Sequence, residues 1–296
     1  MKDAPKDHAP PPDETLLGRE LPAAMRRGEL ALRLRPIVAG RNGRWCAAEV
    51  EPVWQHPLYG VLPPPLLARV ARHCGMRAAL GDWLLDTVLA DLKRWSHLAP
   101  QPFRIHLRAS LGELSVPHAQ KRVLDALRQH GIGAGRLVLA LPESVVAQAA
   151  EQCQPGFASL RALGARIALA GFGNGYSTLG LLREMPIDEL WIDPRLVGTL
   201  ALPEPRGMAI VSAAIEVARA LDLEIGARGV DSRPQRVALR TLGCDALQGD
   251  AIAPPLVPDA FLRRLLGEPA PAWHESGDRT APADPPRETR HTYYAP

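Results

Sequence analysis

Short apolar runs bounded by glycine, proline or charge recur through the middle of the chain. Between most of them lie longer stretches with apolar residues at every third or fourth position. The runs LALRLRPIV (30–38), WCAAEVEPVW (45–54), FRIHLRA (103–109) and RLVLAL (136–141) read as strands. So do RIALA (166–170), DELWID (188–193), LEIGA (223–227) and CDALQ (244–248). Consecutive apolar positions are what a sheet buried on both faces requires. Helical periodicity marks PLLARVARHC and LGDWLLDTVLADLKRW after the second run, PHAQKRVLDALRQHG after the third and FASLRALG before the fifth. GMAIVSAAIEVARALD, before the seventh, is apolar nearly all round and is expected to pack firmly against the sheet. Gly131 and Gly164 stand where helix C-caps fall.

Eight strands with helices between most of them predict a closed α/β barrel, TIM-like (β/α)8, in one domain. The turn AGRNGRW is too short for a parallel crossover, so the first strand pair is predicted antiparallel. The domain is expected to span 14–267, between disordered tails at 1–13 and 268–296 that are rich in proline and poor in aliphatic residues. No sensory, receiver or GGDEF-like segment is expected, since the first tail is too short to fold into one. Trp273, Tyr293 and Tyr294 would suit a docking peptide, and an unselected tail accounts for them equally.

Composition narrows the picture. A chain of 296 residues that is 46% hydrophobic can bury a sizeable core. The chain contains no apolar run of about 18 residues and no signal-type apolar region near its start, so a cytoplasmic protein without a membrane partner is expected. Cys46, Cys74, Cys153 and Cys244 lie far apart, which predicts free thiols. The formal net charge is only +3 and the arginines look scattered along the sequence, so direct nucleic-acid binding is not expected.

Candidate chemistry in such a barrel sits at the C-terminal ends of the strands. Those positions hold Glu49 and Val53, Arg108, Ala140, Ala170 with Gly171, Trp191 with Asp193, Arg228 with Asp231, and Gln248 with Asp250. A metal-assisted hydrolase needs several oxygen ligands around a hard cation. Alkyl, indole and guanidinium groups make a poor metal site, and no metal or cofactor is expected. Glu49 is expected to pair with Arg108 or Arg228, and Gln248 and Asp231 to make structural hydrogen bonds. The stretch ALAGFGNGYSTLGLL (168–182) reads as strand, glycine loop and helix, with Gly171, Gly173 and Gly175 implying unusual dihedrals. Leu179, Leu182 and Met185 follow at helical spacing, as a core-facing stripe does.

These residues carry a resemblance. LRPIVAGRNGRWCAAEVEPVWQHP resembles the opening hairpin of the EAL domains, bacterial barrels that hydrolyse cyclic di-GMP, with EVE in place of E-A-L. LGARIALAGFGNGYSTLGLLREMPIDELWID resembles the family's stretch around D-D-F-G-x-G-Y-S and K-I-D, ARGVD stands for A-E-G-V-E, and LGCDALQGD for L-G-C-D-x-x-Q-G-Y. The resemblance runs from about residue 20 to 266.

Carried over residue by residue, the resemblance implies that Glu49 and Gln248 keep the family's groups and that Asp231 shortens an acidic one. It implies that Arg108, Ala140, Ala170, Gly171, Trp191 and Arg228 replace the others that serve the metals, and that Val53 replaces a phosphate-binding arginine. The implied protein is a degenerate EAL domain without phosphodiesterase activity, a regulator in motility, biofilm or virulence control. Its partner would be another protein, such as a transcription factor or signalling protein, or a second copy in a homodimer. The glycine loop and following helix, with Gly173, Gly175, Tyr176, Leu179 and Leu182, would contribute to the partner surface. The alternative is a cyclic di-GMP receptor that binds without hydrolysis, if Arg35, Arg108 and Arg228 face the barrel mouth and hold a phosphate without metal. Residual hydrolysis is the remote alternative.

Overall fold

The computed structural model describes residues 13–96, 98, 103–108, 117–143, 146, 157–173, 175, 182–183, 185–201 and 205–267. Nine strands form one sheet in the order β1-β9-β8-β7-β6-β5-β4-β2-β3, and β1 also pairs with β2, which closes eight of them into a barrel. They are β1 (Leu30–Ala39), β2 (Trp45–His56), β3 (Gly60–Leu62), β4 (Arg104–Arg108), β5 (Leu137–Pro142), β6 (Arg166–Phe172), β7 (Glu189–Ile192), β8 (Glu224–Ala227) and β9 (Ala246–Leu247). As the short turn dictates, β1 runs antiparallel to β2, and it is antiparallel to β9 as well. The ladder from β2 through β4 to β9 is parallel.

Around the barrel lie α1 (Glu14–Arg27), α2 (Pro64–His73), α3 (Arg77–Ser96), α4 (Pro117–His130), α5 (Pro194–Thr199), α6 (Pro205–Ala220), α7 (Arg233–Thr241) and α8 (Pro258–Leu265). Outward-facing strand residues such as Ile105, Leu139, Ile167, Leu190 and Ile225 join helix residues such as Val88, Val211 and Leu239 in the main core. A second cluster packs α1 and α2 onto Trp54 and Leu62, outside the barrel.

Two elements escaped the sequence reading. Helix α1 carries a start and a stop: the Asp13 side chain accepts a hydrogen bond from the Thr15 N–H at 2.8 Å, and Gly28 ends the helix at φ 73°. Pro22 inside it hid the periodicity, although Leu17, Leu21 and Ala24 are all buried. The short β3 pairs with the end of β2 as a hairpin outside the barrel. Helix α6 also differs from expectation. Val211, Ala214, Ile215 and Ala218 are buried, but Met208 and Ile210 face outward, so its apolar surface is only partly covered. Apart from Asp13, the tails expected at 1–13 and 268–296 lie outside the described residues. No described helix is long and apolar enough to cross a membrane.

Candidate functional site

Because strand residues alternate between faces, every second residue of each barrel strand points inward. On β4 these are Arg104, His106 and Arg108, on β7 Glu189 and Trp191, and on β8 Glu224, Gly226 and Arg228. They fill the barrel in three layers.

The layer at the N-terminal end is ionic. Arg104 donates to Glu189 at 3.0 Å and to both oxygens of Glu224 at 2.9 and 2.7 Å. Arg166 donates to Glu189 at 3.0 Å and to Glu224 at 2.9 Å. Burial pushes the Glu189 carboxyl up, but the cations around it, His106 when protonated and Arg104 and Arg166 throughout, outweigh this and hold it below the usual range.

The middle layer is built round one indole. Trp191 is buried among Ile37, Ala47, Val138, Ala140, Ala168 and Ala246. Its Nε1 donates to Glu189 at 3.0 Å, and the ring lies on Gly226, where an added Cβ would come within 2.6 Å of indole carbons. Small residues on the surrounding strands leave the space that this one large ring occupies. The His106 ring meets Trp191 edge-on at 5.3 Å, and burial pushes its pKa down to about 4, so the imidazole is neutral at pH 7.

The mouth holds Glu49, Arg108, Arg228 and Gln248. Arg228 Nη1 lies 3.5 Å from Glu49 Oε1, and its guanidinium stands 5.1 Å from the centre of the Trp191 ring. Arg108 Nε approaches the same Glu49 oxygen at 3.8 Å and is 49% exposed. Burial alone would raise the Glu49 pKa; Arg228 first and Arg108 second outweigh it and keep the carboxyl below its ordinary value. Gln248 also helps to stabilise the Glu49 charge, although its buried Nε2 has no hydrogen-bond partner among the described residues.

The other predicted site residues divide. Arg35 does not join Arg108 and Arg228 on Glu49; its guanidinium is taken by Glu51 at 2.8 Å and Asp250 at 3.0 Å. Asp231 sits at the start of α7 and accepts from the Asp250 N–H at 3.1 Å, the structural role expected of it. In the glycine loop, Gly171, Gly173 and Gly175 all have positive φ, at 86°, 93° and 98°. Gly173 is also crowded, since a Cβ there would lie 2.2 Å from a Leu196 methyl. Leu182, counted towards a partner surface, is instead buried in the main core with Met185, as apolar residues at helical spacing tend to be. Tyr176 and Leu179 lie outside the described residues. The sequence reading missed the interior group Arg104, His106, Arg166, Glu189 and Glu224. Its signal was the alternation in RIHLR, polar at every second position of a strand whose other face is apolar.

With this geometry in view, the comparisons with known proteins are decisive about kinship. The EAL domain profile matches residues 18–255. The chain belongs to the EAL domain family. It is 30% identical over 250 residues to the bifunctional diguanylate cyclase/cyclic di-GMP phosphodiesterase MucR of Pseudomonas aeruginosa, covering 84% of this chain and 36% of that protein. It is 31% identical over 261 residues to the cyclic di-GMP phosphodiesterase NbdA of the same organism, covering 87% of this chain and 33% of that one. The chain thus spans about a third of the length of the curated relatives it matches. The solved PaMucR phosphodiesterase in complex with c-di-GMP superposes with a TM-score of 0.79 at 30% identity, over 83% of this chain and 99% of that one. The EAL barrel with its antiparallel first pair is therefore the fold of this chain, and some of its relatives are cyclic di-GMP phosphodiesterases.

Proposed function

We propose that this EAL domain is a non-catalytic regulator in cyclic di-GMP signalling that acts by binding another protein, in control of motility, biofilm or virulence. The observation that carries the reading is the surroundings of Glu49. Its carboxylate faces two guanidinium groups at 3.5 and 3.8 Å, where a metal-dependent hydrolase would place further oxygen ligands around a cation. Ala140, Ala170 and Trp191 supply no ligand, and among the described residues no three His, Cys, Asp or Glu side chains gather as a metal site. The residues present do not fit the family's metal ions. On this reading the barrel is the unit 14–267 and the protein works in the cytoplasm.

The glycine loop supports a scaffold role, because its three left-handed residues preserve a backbone shape that does not need the metal. A transcription factor or signalling protein is the expected partner. The second reading is a receptor that binds cyclic di-GMP without turnover, favoured by the half-exposed Arg108 beside the buried Arg228 at the mouth.

The test is incubation of purified protein with cyclic di-GMP and magnesium or manganese, followed by chromatography for the linear dinucleotide, with calorimetric titration alongside. The expected result is neither turnover nor heat of binding. Binding without turnover establishes the receptor, and metal-dependent turnover at an ordinary enzyme rate overturns both readings.

A further inference from the structure

The fold gathers arginines that lie far apart in the sequence. On α7, Arg233, Arg236 and Arg240 stand at i, i+3 and i+7, which puts them on one face over about 10 Å of helix. At the lower end of this stripe Arg240 Nη2 donates to the backbone carbonyl of Arg41 at 3.3 Å, so the β1–β2 hairpin with Arg41 and Arg44 continues it. Among the described residues none of these five arginines forms an ion pair, and α7 contains no acidic residue. Val237 lies within the stripe and is 53% exposed.

We propose that this flank is a docking surface for an acidic, amphipathic protein segment, one that brings carboxylates to the arginines and an apolar side chain to Val237. The inference rests on the reading of the chain as a protein-binding regulator and names the chemistry of the partner. Guanidinium groups pair with carboxylates in two-pronged geometry, and arginine is enriched at protein interfaces. Val237 decides between classes of polyanion. A phosphodiester backbone offers nothing to cover an exposed valine amid the charges, whereas an amphipathic helix carries both kinds of group at the required spacing.

The test is fluorescence anisotropy of the full chain with a labelled amphipathic peptide of glutamate and leucine, at low and physiological salt. The controls are the same peptide with serine for leucine and a DNA duplex of matched charge. The glutamate–leucine peptide is expected to bind more tightly than either control. The pair Arg236→Glu with Arg240→Glu should weaken binding by about tenfold or more, and Arg72→Glu on α2, outside the stripe, should leave it unchanged. A glutamate near the C-terminal end of α7 also opposes the helix dipole, so Arg236→Gln with Arg240→Gln removes the charge alone and should weaken binding in the same direction. Equal binding by wild type and both paired variants, or tighter binding of the duplex, overturns the proposal. Hydrolysis measured on the same samples separates the two claims. Turnover sinks the regulatory reading whatever the peptide does, and a failed peptide without turnover sinks only the docking surface.

Discussion

At the N-terminal end of the barrel two arginines and two carboxylates exchange hydrogen bonds of 2.7–3.0 Å, whereas at the mouth two arginines approach one carboxylate no closer than 3.5 Å. The lower set is neutral and closed, each charge being answered by its neighbours. The upper set shares Glu49 between two cations at longer range, and one of those cations is half exposed. The same residue types therefore make a tight, closed network at one end and a looser, partly exposed set at the other. Burial alone does not predict which; the stoichiometry and reach of the partners do.

The sharpest break in this contrast is Glu189→Ala, which leaves Arg104, Arg166 and the indole N–H without their shared acceptor. Removing one partner of a buried ionic network costs about 3–5 kcal/mol, and urea unfolding monitored by circular dichroism should show a loss of that order. Next comes pH. His106 has a folded pKa of about 4 against an ordinary 6.5, so the unfolded chain takes up its proton first. Stability should fall as pH drops from 6.5 and the loss should level off below 4, reaching about 3 kcal/mol. Glu49 and Glu189, held below their ordinary values, add losses only at the acid end, as pH falls through their folded pKa values. Comparing urea midpoints of wild type and His106→Gln between pH 7 and 5 isolates the histidine, and parallel curves would remove it from the account.

Smaller again is Gly226→Ala, whose methyl collides with Trp191 and should cost about 1–3 kcal/mol. Adding Trp191→Leu should restore part of this, read as a rise in melting temperature of the double variant; no recovery would mean that the glycine is needed for another reason. Arg108→Ala at the mouth should change stability by less than about 1 kcal/mol, since its pair with Glu49 is long and half exposed. A loss as large as that of Glu189→Ala would erase the distinction between the two ends.

Much of this was legible in the sequence where a local rule acts. The strands declared themselves as apolar runs, and the turn 39–45 fixed the antiparallel pair. At the mouth, Glu49 could be matched to Arg108 and Arg228 because the sequence pattern put each near the end of its strand that faces the mouth. Arg35 could not be separated from them, because what removes it is Glu51 across the hairpin together with Asp250, a partner 215 positions away. The ionic layer stayed hidden for the same reason. Arg104 and Glu224 are ordinary charges in the sequence until closure of the barrel brings them within 2.7 Å. Helix α1 was missed because a proline inside an amphipathic segment argues against helix, although its caps were readable.

The barrel is joined unevenly around its circumference. Nine residue pairs link β1 to β2, but only two, Val38–Leu247 and Ala39–Ala246, link β1 to β9, with a lone bridge from Leu34 to Leu256 beyond them. The contact of Arg240 with the Arg41 carbonyl spans this seam from outside. The β8–β9 junction is as thin, with two pairs, so thermal opening of the cylinder should start beside β9, and the amide proton of Gly40, which donates to the Asp245 carbonyl, should exchange sooner than those of β5 and β6. Anything that grips the hairpin and α7 together would act as a clasp, slowing that exchange and tightening the whole cylinder from a point outside its interior.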